Sequence, residues 1–377
     1  TLDEDERVLR ASLIPRVLEG TYAHPRQVMD ALLECPGAVE HPLACGALEP
    51  ALWDLYGKIV GKPLWQLIGG EPYGGRVVEA DARDAAGAGS ALPASAACAG
   101  PVREAEADEC PAEDGALRTA EAPARTLVPG GAVFGLMPED ELVAAVGAAV
   151  EAGIPRAKLK IAPGQDVEPV RAVRFAFPRL ELMVDANQGY DDAREAERVI
   201  DELGAFGVRC IEEPLKPREG EGSRELFERL SRLQELVRVP ICLDESFASY
   251  DDLRLALAFP QLRWYAVKIA KFGGVGPALS FCEWAQRHGV SVWMGGMYDT
   301  GVSKRLHAAF ETLPCCAVPG DLSDSARYFP RDVARPAFVL QRGHVELNGD
   351  GFEHGLGCVL DEAALARITV EKFALER

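Results

Sequence analysis

Cys210-Ile211-Glu212-Glu213-Pro214-Leu215 joins an apolar run to two carboxylates and a proline, a pairing that a strand buried on both faces does not otherwise tolerate. The same figure recurs on either side. Ala157-Lys158-Leu159-Lys160-Ile161 and Leu182-Met183-Val184-Asp185-Ala186-Asn187 come before it, and Pro240-Ile241-Cys242-Leu243-Asp244-Glu245 and Tyr265-Ala266-Val267-Lys268-Ile269 come after. With Leu159, Val184, Ile211, Leu243, Val267 and Trp293 as strand centres, the intervals are roughly 24 to 32 residues, room for a strand, a helix and two loops. Helix-like segments at 191–203, 223–237, 250–258 and 276–288 fill the gaps. Strands alternating with helices at this period predict a parallel sheet. A first strand at Gly131-Ala132-Val133-Phe134-Gly135, the helix 138–152 and an eighth strand at 317–322 favour a closed barrel over an open sheet. In such a barrel the C-terminal strand ends share one mouth, which places Lys158, Lys160, Asp185, Asn187, Glu212, Asp244, Glu245 and Lys268 together.

Asp185, Glu212 and Asp244 come from three successive strands, and three carboxylates converging on one mouth repel one another unless a cation sits between them. Each acid taken singly is as well explained by a lysine partner; three in register are not. Hard oxygen donors on separate strands suit Mg2+, with Mn2+ as a substitute. A lone lysine at a strand end is more often a residue whose stem lies along the surface. Lys160 and Lys268, facing each other across a metal, point instead to proton abstraction next to a carboxylate. Lys158, two residues before Lys160 and on the same side of its strand, is expected to lower the pKa of Lys160 by its charge.

The chain has 377 residues, 48% of them hydrophobic, enough for one barrel and a smaller domain. A net charge of −19 argues against nucleic acid or an anionic membrane as partner. The ten cysteines show no CxxC pair and no zinc-like spacing, which predicts reduced, mostly buried thiols. With no apolar run of membrane-spanning length and no leader-like start, the expected location is the cytoplasm. The expected partners are a small carboxylate substrate and further copies of the chain.

Residues 1–78 read as a smaller, helical domain. Val8, Leu9, Leu13, Ile14, Val17 and Leu18 recur at helical spacing, a second helix covers 29–33, and a third carries Leu48, Leu52, Leu55 and Ile59. Pro50 predicts a break or distortion in that third helix. Residues 79–126 hold no aromatic residue and few large aliphatics, and are expected to be a disordered or poorly packed insertion. The catalytic barrel is placed at 127–336. The tail 337–377, with Phe338-Val339-Leu340, His344-Val345-Glu346-Leu347 and a helix from Asp361, is expected to return to the N-terminal helices.

Lys158-Leu159-Lys160, Val184-Asp185-Ala186-Asn187, Ile211-Glu212-Glu213-Pro214-Leu215, Leu243-Asp244-Glu245-Ser246 and Val267-Lys268-Ile269, in this order, resemble the signature of the enolase superfamily, muconate-lactonizing-enzyme subgroup. The resemblance covers most of 1–78 and 127–365. It implies a TIM-like (β/α)7β barrel with a partial, N-terminally truncated α+β capping domain. Asp185, Glu212 and Asp244 would be Mg2+ ligands, Lys160 and Lys268 the acid/base pair, Lys158 an auxiliary cation, and Asn187 and Glu245 supporting groups. Trp293-Met294-Gly295-Gly296-Met297-Tyr298-Asp299 and Pro319-Gly320-Asp321-Leu322-Ser323 look most like the o-succinylbenzoate synthases, lyases of menaquinone biosynthesis, and the related N-succinylamino acid racemases. Asp321-Leu322-Ser323 departs from the Asp-x-Asp of dipeptide epimerases, and Asp299 stands where the subgroup carries Glu. The amides of Gly295 and Gly296 could hold a substrate carboxylate; close packing at a strand end explains the two glycines equally well. A third expectation is a catalytically silent relative without a complete cap.

Overall fold

The computed structural model describes residues 2–69, 127–247, 249–349 and 351–372, so the insertion expected at 79–126 lies outside the described residues. The chain opens with helices α1 (Leu2–Val8), α2 (Ile14–Glu19), α3 (Pro25–Leu33), α4 (Pro42–Val60) and α5 (Leu64–Gly69), with a π-helical turn, Leu9–Leu13, joining α1 to α2. After β1 (Leu127–Pro129) come seven strands and the helices between them: β2 (Gly131–Phe134), α6 (Glu139–Glu151), β3 (Arg156–Lys160), α7 (Val167–Ala176), β4 (Glu181–Asp185), α8 (Ala193–Gly204), β5 (Ile211–Glu212), α9 (Ser223–Leu236), β6 (Ile241–Leu243), α10 (Tyr250–Ala256), β7 (Trp264–Val267), α11 (Val275–Arg287) and β8 (Ser291–Met294). Helix α12 (Gly301–Phe310), the short strands β9 (Ala334–Arg335), β10 (His344–Glu346) and β11 (Val359–Leu360), and α13 (Glu362–Ile368) complete the chain.

Strands β2 to β8 pair in sequence order as one parallel sheet. The eighth strand expected at 317–322 is not continuous. Its backbone touches both sheet edges all the same: Ala317 N and Asp321 N donate to Val292 and Met294 of β8 at 2.9 Å each, and Gly131 N of β2 donates to the Leu322 carbonyl at 3.0 Å. Among the described helices none is long and apolar enough to cross a membrane.

The side-chain period of two along each strand stacks two inward layers. Met183, Cys210, Cys242, Ala266, Trp293 and Val318 form one apolar cluster. Asp185, Glu212, Asp244, Lys268 and Gly295 each lie two residues beyond a member of it and so stand on the same face, one layer nearer the C-terminal ends. Trp293 is the largest floor residue, fully buried, its indole N–H directed at Cys242 Sγ at 3.1 Å. Trp293→Ala is expected to cost roughly 3–5 kcal/mol, since a cavity of that size does not collapse completely; urea unfolding measures it, and a loss under about 1 kcal/mol would mean the floor relaxes freely.

Helix α4 corrects one expectation: it runs unbroken through Pro50. The lost backbone hydrogen bond is offset by packing, because Ala44, Cys45, Glu49, Pro50, Trp53 and Gly57 are all buried along it. The tail touches α5 and the turn before it. Leu64 N donates to Gly355 O at 2.7 Å and Trp65 Nε1 to Leu347 O at 3.1 Å, while 338–340 form no strand and β10 pairs with β1. The eight described cysteines are free thiols, and all but Cys35 are buried.

Candidate active site

Register brings the charged residues together. Lys160 pairs with Asp185 across β3 and β4, and Asp185 with Glu212 across β4 and β5. Asp244 follows β6 directly and Lys268 follows β7. The side chains then form a run that alternates cation and anion for most of its length. Lys160 Nζ lies 2.5 Å from Asp185 Oδ2, Lys158 Nζ 3.6 Å from the same oxygen and 3.1 Å from Glu212 Oε2, and Lys268 Nζ 2.5 Å from Asp244 Oδ2. Glu212 and Asp244 lie side by side, with carboxylate oxygens within 4.8 Å of each other, and so join the two halves. Asn187 spans the open side, accepting from Lys160 at 2.6 Å and donating to Glu245 at 2.7 Å. All eight expected residues are thus in one cluster.

Carboxylate oxygens of Glu212, Asp244 and Glu245 all lie within 4.8 Å of one another, a spacing that one metal ion spans. Asp185 is turned toward the two lysines of β3 and joins this trio through Lys158. Glu212 and Asp244 are buried and Glu245 is exposed. Burial drives the Glu212 carboxyl well above its ordinary range, against the pull of Lys158 and with the push of Asp185 and Asp244. Burial opposes the ionisation of Asp244 too, but Lys268, Glu212 and Lys271 outweigh it and hold that carboxyl low. Lys268 is desolvated, yet Asp244 keeps its pKa raised.

Several supporting contacts were not legible in the sequence. Glu213, at φ 43, turns its carboxylate back to accept from Asp244 N at 2.6 Å, from Ser246 N at 2.7 Å and from the Ser246 hydroxyl, and so fixes the turn presenting Asp244 and Glu245. Asn187 and Gln188 have φ of 42 and 59, left-handed values that non-glycine residues hold only under constraint. Lys271 donates to the Asp244 carbonyl and lies 3.5 Å from Oδ1. Asp321 lies 3.0 Å from Lys158 and 2.9 Å from the fully buried Arg156, whose guanidinium stands over the Trp293 ring. Only a fold that brings 321 beside β3 reveals that pairing.

The two glycines resolve toward close packing. Gly295 N donates to Val267 O at 3.1 Å and Gly296 N to Asp321 Oδ2 at 3.2 Å, so both amides are engaged within the chain. A Cβ on Gly295 would stand 3.4 Å from Lys268 Cε, and one on Gly296 only 2.7 Å from Asp321 Cβ. The close approach at Gly296 makes room for Asp321, while the contact at Gly295 is ordinary packing.

Residues 141–364 match the family described as enolase C-terminal domain-like. An o-succinylbenzoate synthase from Enterococcus faecalis is 30% identical over 346 residues, covering 91% of this chain and 76% of that protein. An N-succinylamino acid racemase from Thermus thermophilus is 31% identical over 337 residues, covering 89% of this chain and 74% of that protein. A solved member of the enolase superfamily from Enterococcus faecalis superposes with a TM-score of 0.74 at 29% identity, covering 97% of this chain and 81% of that one. With the strand-end residues of the signature gathered at one end of a parallel sheet, the chain belongs to the enolase C-terminal domain-like family of the enolase superfamily.

Proposed function

We propose that the chain removes the proton alpha to the carboxylate of a small substrate, with Mg2+ held by Asp185, Glu212 and Asp244, and that the reaction completed is the dehydration giving o-succinylbenzoate. The observation that carries this is the linked run from Lys160 to Lys268, which ends in a lysine on each side of the acids. The fold that supports it is a closed barrel over 127–336 against the helices of 1–78 and the tail of 337–377, read from the contacts of 316–322 with both sheet edges.

The donor set fits a hard divalent cation. Glu212 and Asp244 are buried side by side and Asp185 adds a third carboxylate, hard oxygen donors among which burial and mutual repulsion keep the Glu212 carboxyl well up despite the neighbouring lysines. Bound there, Mg2+ or Mn2+ supplies positive charge that lowers the cost of forming an enediolate. Lys160 takes the alpha proton. Lys268 stays protonated on the opposite face, and Lys160 passes the proton it has taken to the neighbouring hydroxyl, which leaves as water to give the aromatic product.

A second reading, N-succinylamino acid racemase, is favoured by the symmetry of the two lysines, each 2.5 Å from a carboxylate at opposite ends of the run. There Lys160 and Lys268 exchange protons on the two faces of one carbon. Turnover of the cyclohexadiene precursor, compared with deuterium exchange into N-succinylamino acids, separates the readings; both signals should vanish with EDTA. Lys160→Ala is expected to lower the responding reaction roughly 10^2- to 10^4-fold, and full turnover in that variant would sink both readings. A folded parent that does neither reaction would leave the catalytically silent relative.

A further inference from the structure

We infer that Glu49, on α4 and remote from the carboxylate cluster in sequence, is a positioning residue for Lys268, acting through the turn that leaves β7; the inference rests on the role proposed above for Lys268. Glu49 is fully buried. Its carboxylate accepts from Val275 N at 2.7 Å and Gly276 N at 2.9 Å, the first amides of the 13-residue α11, and from Trp53 Nε1 at 2.6 Å. The turn before α11 is closed on itself: Phe272 N donates to Lys268 O at 3.1 Å, Gly273 N to Ala270 O at 3.0 Å and Gly274 N to Ile269 O at 3.0 Å. A displacement of the α11 N-terminus is therefore passed to the backbone of Lys268 and to Lys271, which holds the Asp244 carbonyl.

Three glycines show how tightly α4 is seated there. A Cβ on Gly46 would lie 2.6 Å from Ala270 O, one on Gly274 2.5 Å from Glu49 Oε2, and one on Gly276 3.0 Å from Glu49 Oε1. Gly274 also has φ 126, a conformation that side chains rarely adopt. Lys160 is supported differently. Its strand continues through Ile161 N to Asp185 O at 2.9 Å, and the following loop is tied by Tyr190 Oη to Asp166 at 3.0 Å. Loss of the Glu49 clamp thus disturbs one lysine and spares the other.

Glu49→Gln keeps the shape but replaces one acceptor oxygen by a donor that faces an N–H, and so tests the clamp with little change in volume. The first measurement is amide hydrogen exchange by mass spectrometry on the full chain. In Glu49→Gln, exchange over 268–276 should quicken at least about tenfold while 156–161 stays as in the parent. The second is Mg2+-dependent deuterium exchange into each enantiomer of an N-succinylamino acid, with Lys268→Ala identifying the enantiomer that depends on Lys268. Glu49→Gln should slow that enantiomer at least about tenfold and the other less than about twofold, with KM unchanged. Equal losses on both faces would reduce Glu49 to a general stabiliser, and unchanged protection over 268–276 would overturn the inference. If the parent exchanges neither enantiomer and leaves the dehydration substrate untouched, the functional reading fails while the protection data still decide the mechanical link. Should Glu49→Gln not fold, Gly46→Ala, which forces the same helix off Ala270, takes its place.

Discussion

Glu212→Gln is expected to lower Mg2+-dependent turnover by roughly 10^3-fold or more while leaving the metal-free protein at least as stable as the parent. The two effects diverge for one reason. Glu212 sits at the centre of the buried run, 3.1 Å from Lys158 and beside Asp244, with its carboxyl pushed well up by burial and by its like-charged neighbours. A neutral amide of the same shape removes that repulsion and, with it, one ligand charge. Thermal unfolding with and without Mg2+ reads the second effect independently of substrate. A saturating cation at about 100 times its Kd stabilises a folded protein by about 2.7 kcal/mol, and a 100-fold weaker site reduces this to a few tenths. A variant that kept the full Mg2+-induced rise would place the cation elsewhere.

Lys158→Met should destabilise the fold by roughly 3–5 kcal/mol near neutral pH, the cost of leaving buried carboxylates without their cation. Lys158 is almost fully buried and lies within 3.6 Å of Asp185, Glu212 and Asp321, so one substitution takes a cation from three acids, of which Asp185 keeps Lys160 and Asp321 keeps Arg156. Despite its desolvation, Asp321, Glu212 and Asp185 hold the Lys158 pKa well above 10.5, and its contribution is therefore fully present below that value. Asp321 shifts the other way: burial opposes ionisation, but Lys158 and Arg156 pull its pKa below 3.8, so its contribution is present above that value and lost as the pH falls. The difference between parent and variant should thus shrink in acid solution, as the carboxyls that Lys158 touches take up protons, and be lost again as the pH rises past 10.5 through the raised Lys158 pKa. Chemical unfolding at several pH values measures it. A deficit that stayed constant into acid would come from lost packing over Trp293, whose ring lies 4.4 Å from Lys158 Nζ.

The parts of the site that were legible in the sequence are those fixed by the strand period. Asp185, Glu212 and Asp244 end apolar runs at regular intervals, and parallel pairing in sequence order then gathers them without further information. Residues fixed by long-range register were not legible. Asp321 meets Lys158 only because 316–322 lies between β8 and β2, and Glu213 reaches Ser246 only because its backbone adopts a left-handed turn. Pro50 did not break the helix because it lies on the buried face of α4 with Glu49 and Trp53, where tertiary packing offsets an intrinsic cost of about 3 kcal/mol. The bonds that the amides of Gly295 and Gly296 make, to Val267 and Asp321, depend on neighbouring strands and could not be read from the two glycines.

The two stacked layers of the sheet interior carry a consequence for how this chain can vary over generations. Floor and reactive residues alternate on the same strands, so each strand has a reading frame of two, much as a coding sequence has one of three. A single deletion between Met183 and Asp185 would leave the composition almost untouched, yet turn the acid outward to the helices and an aliphatic residue inward. Length variation is consequently confined to the loops, where one residue more or less changes nothing in phase. Within strands, descendants diverge by substitution alone, and their chemistry is rewritten on the upper layer while the floor beneath keeps the fold.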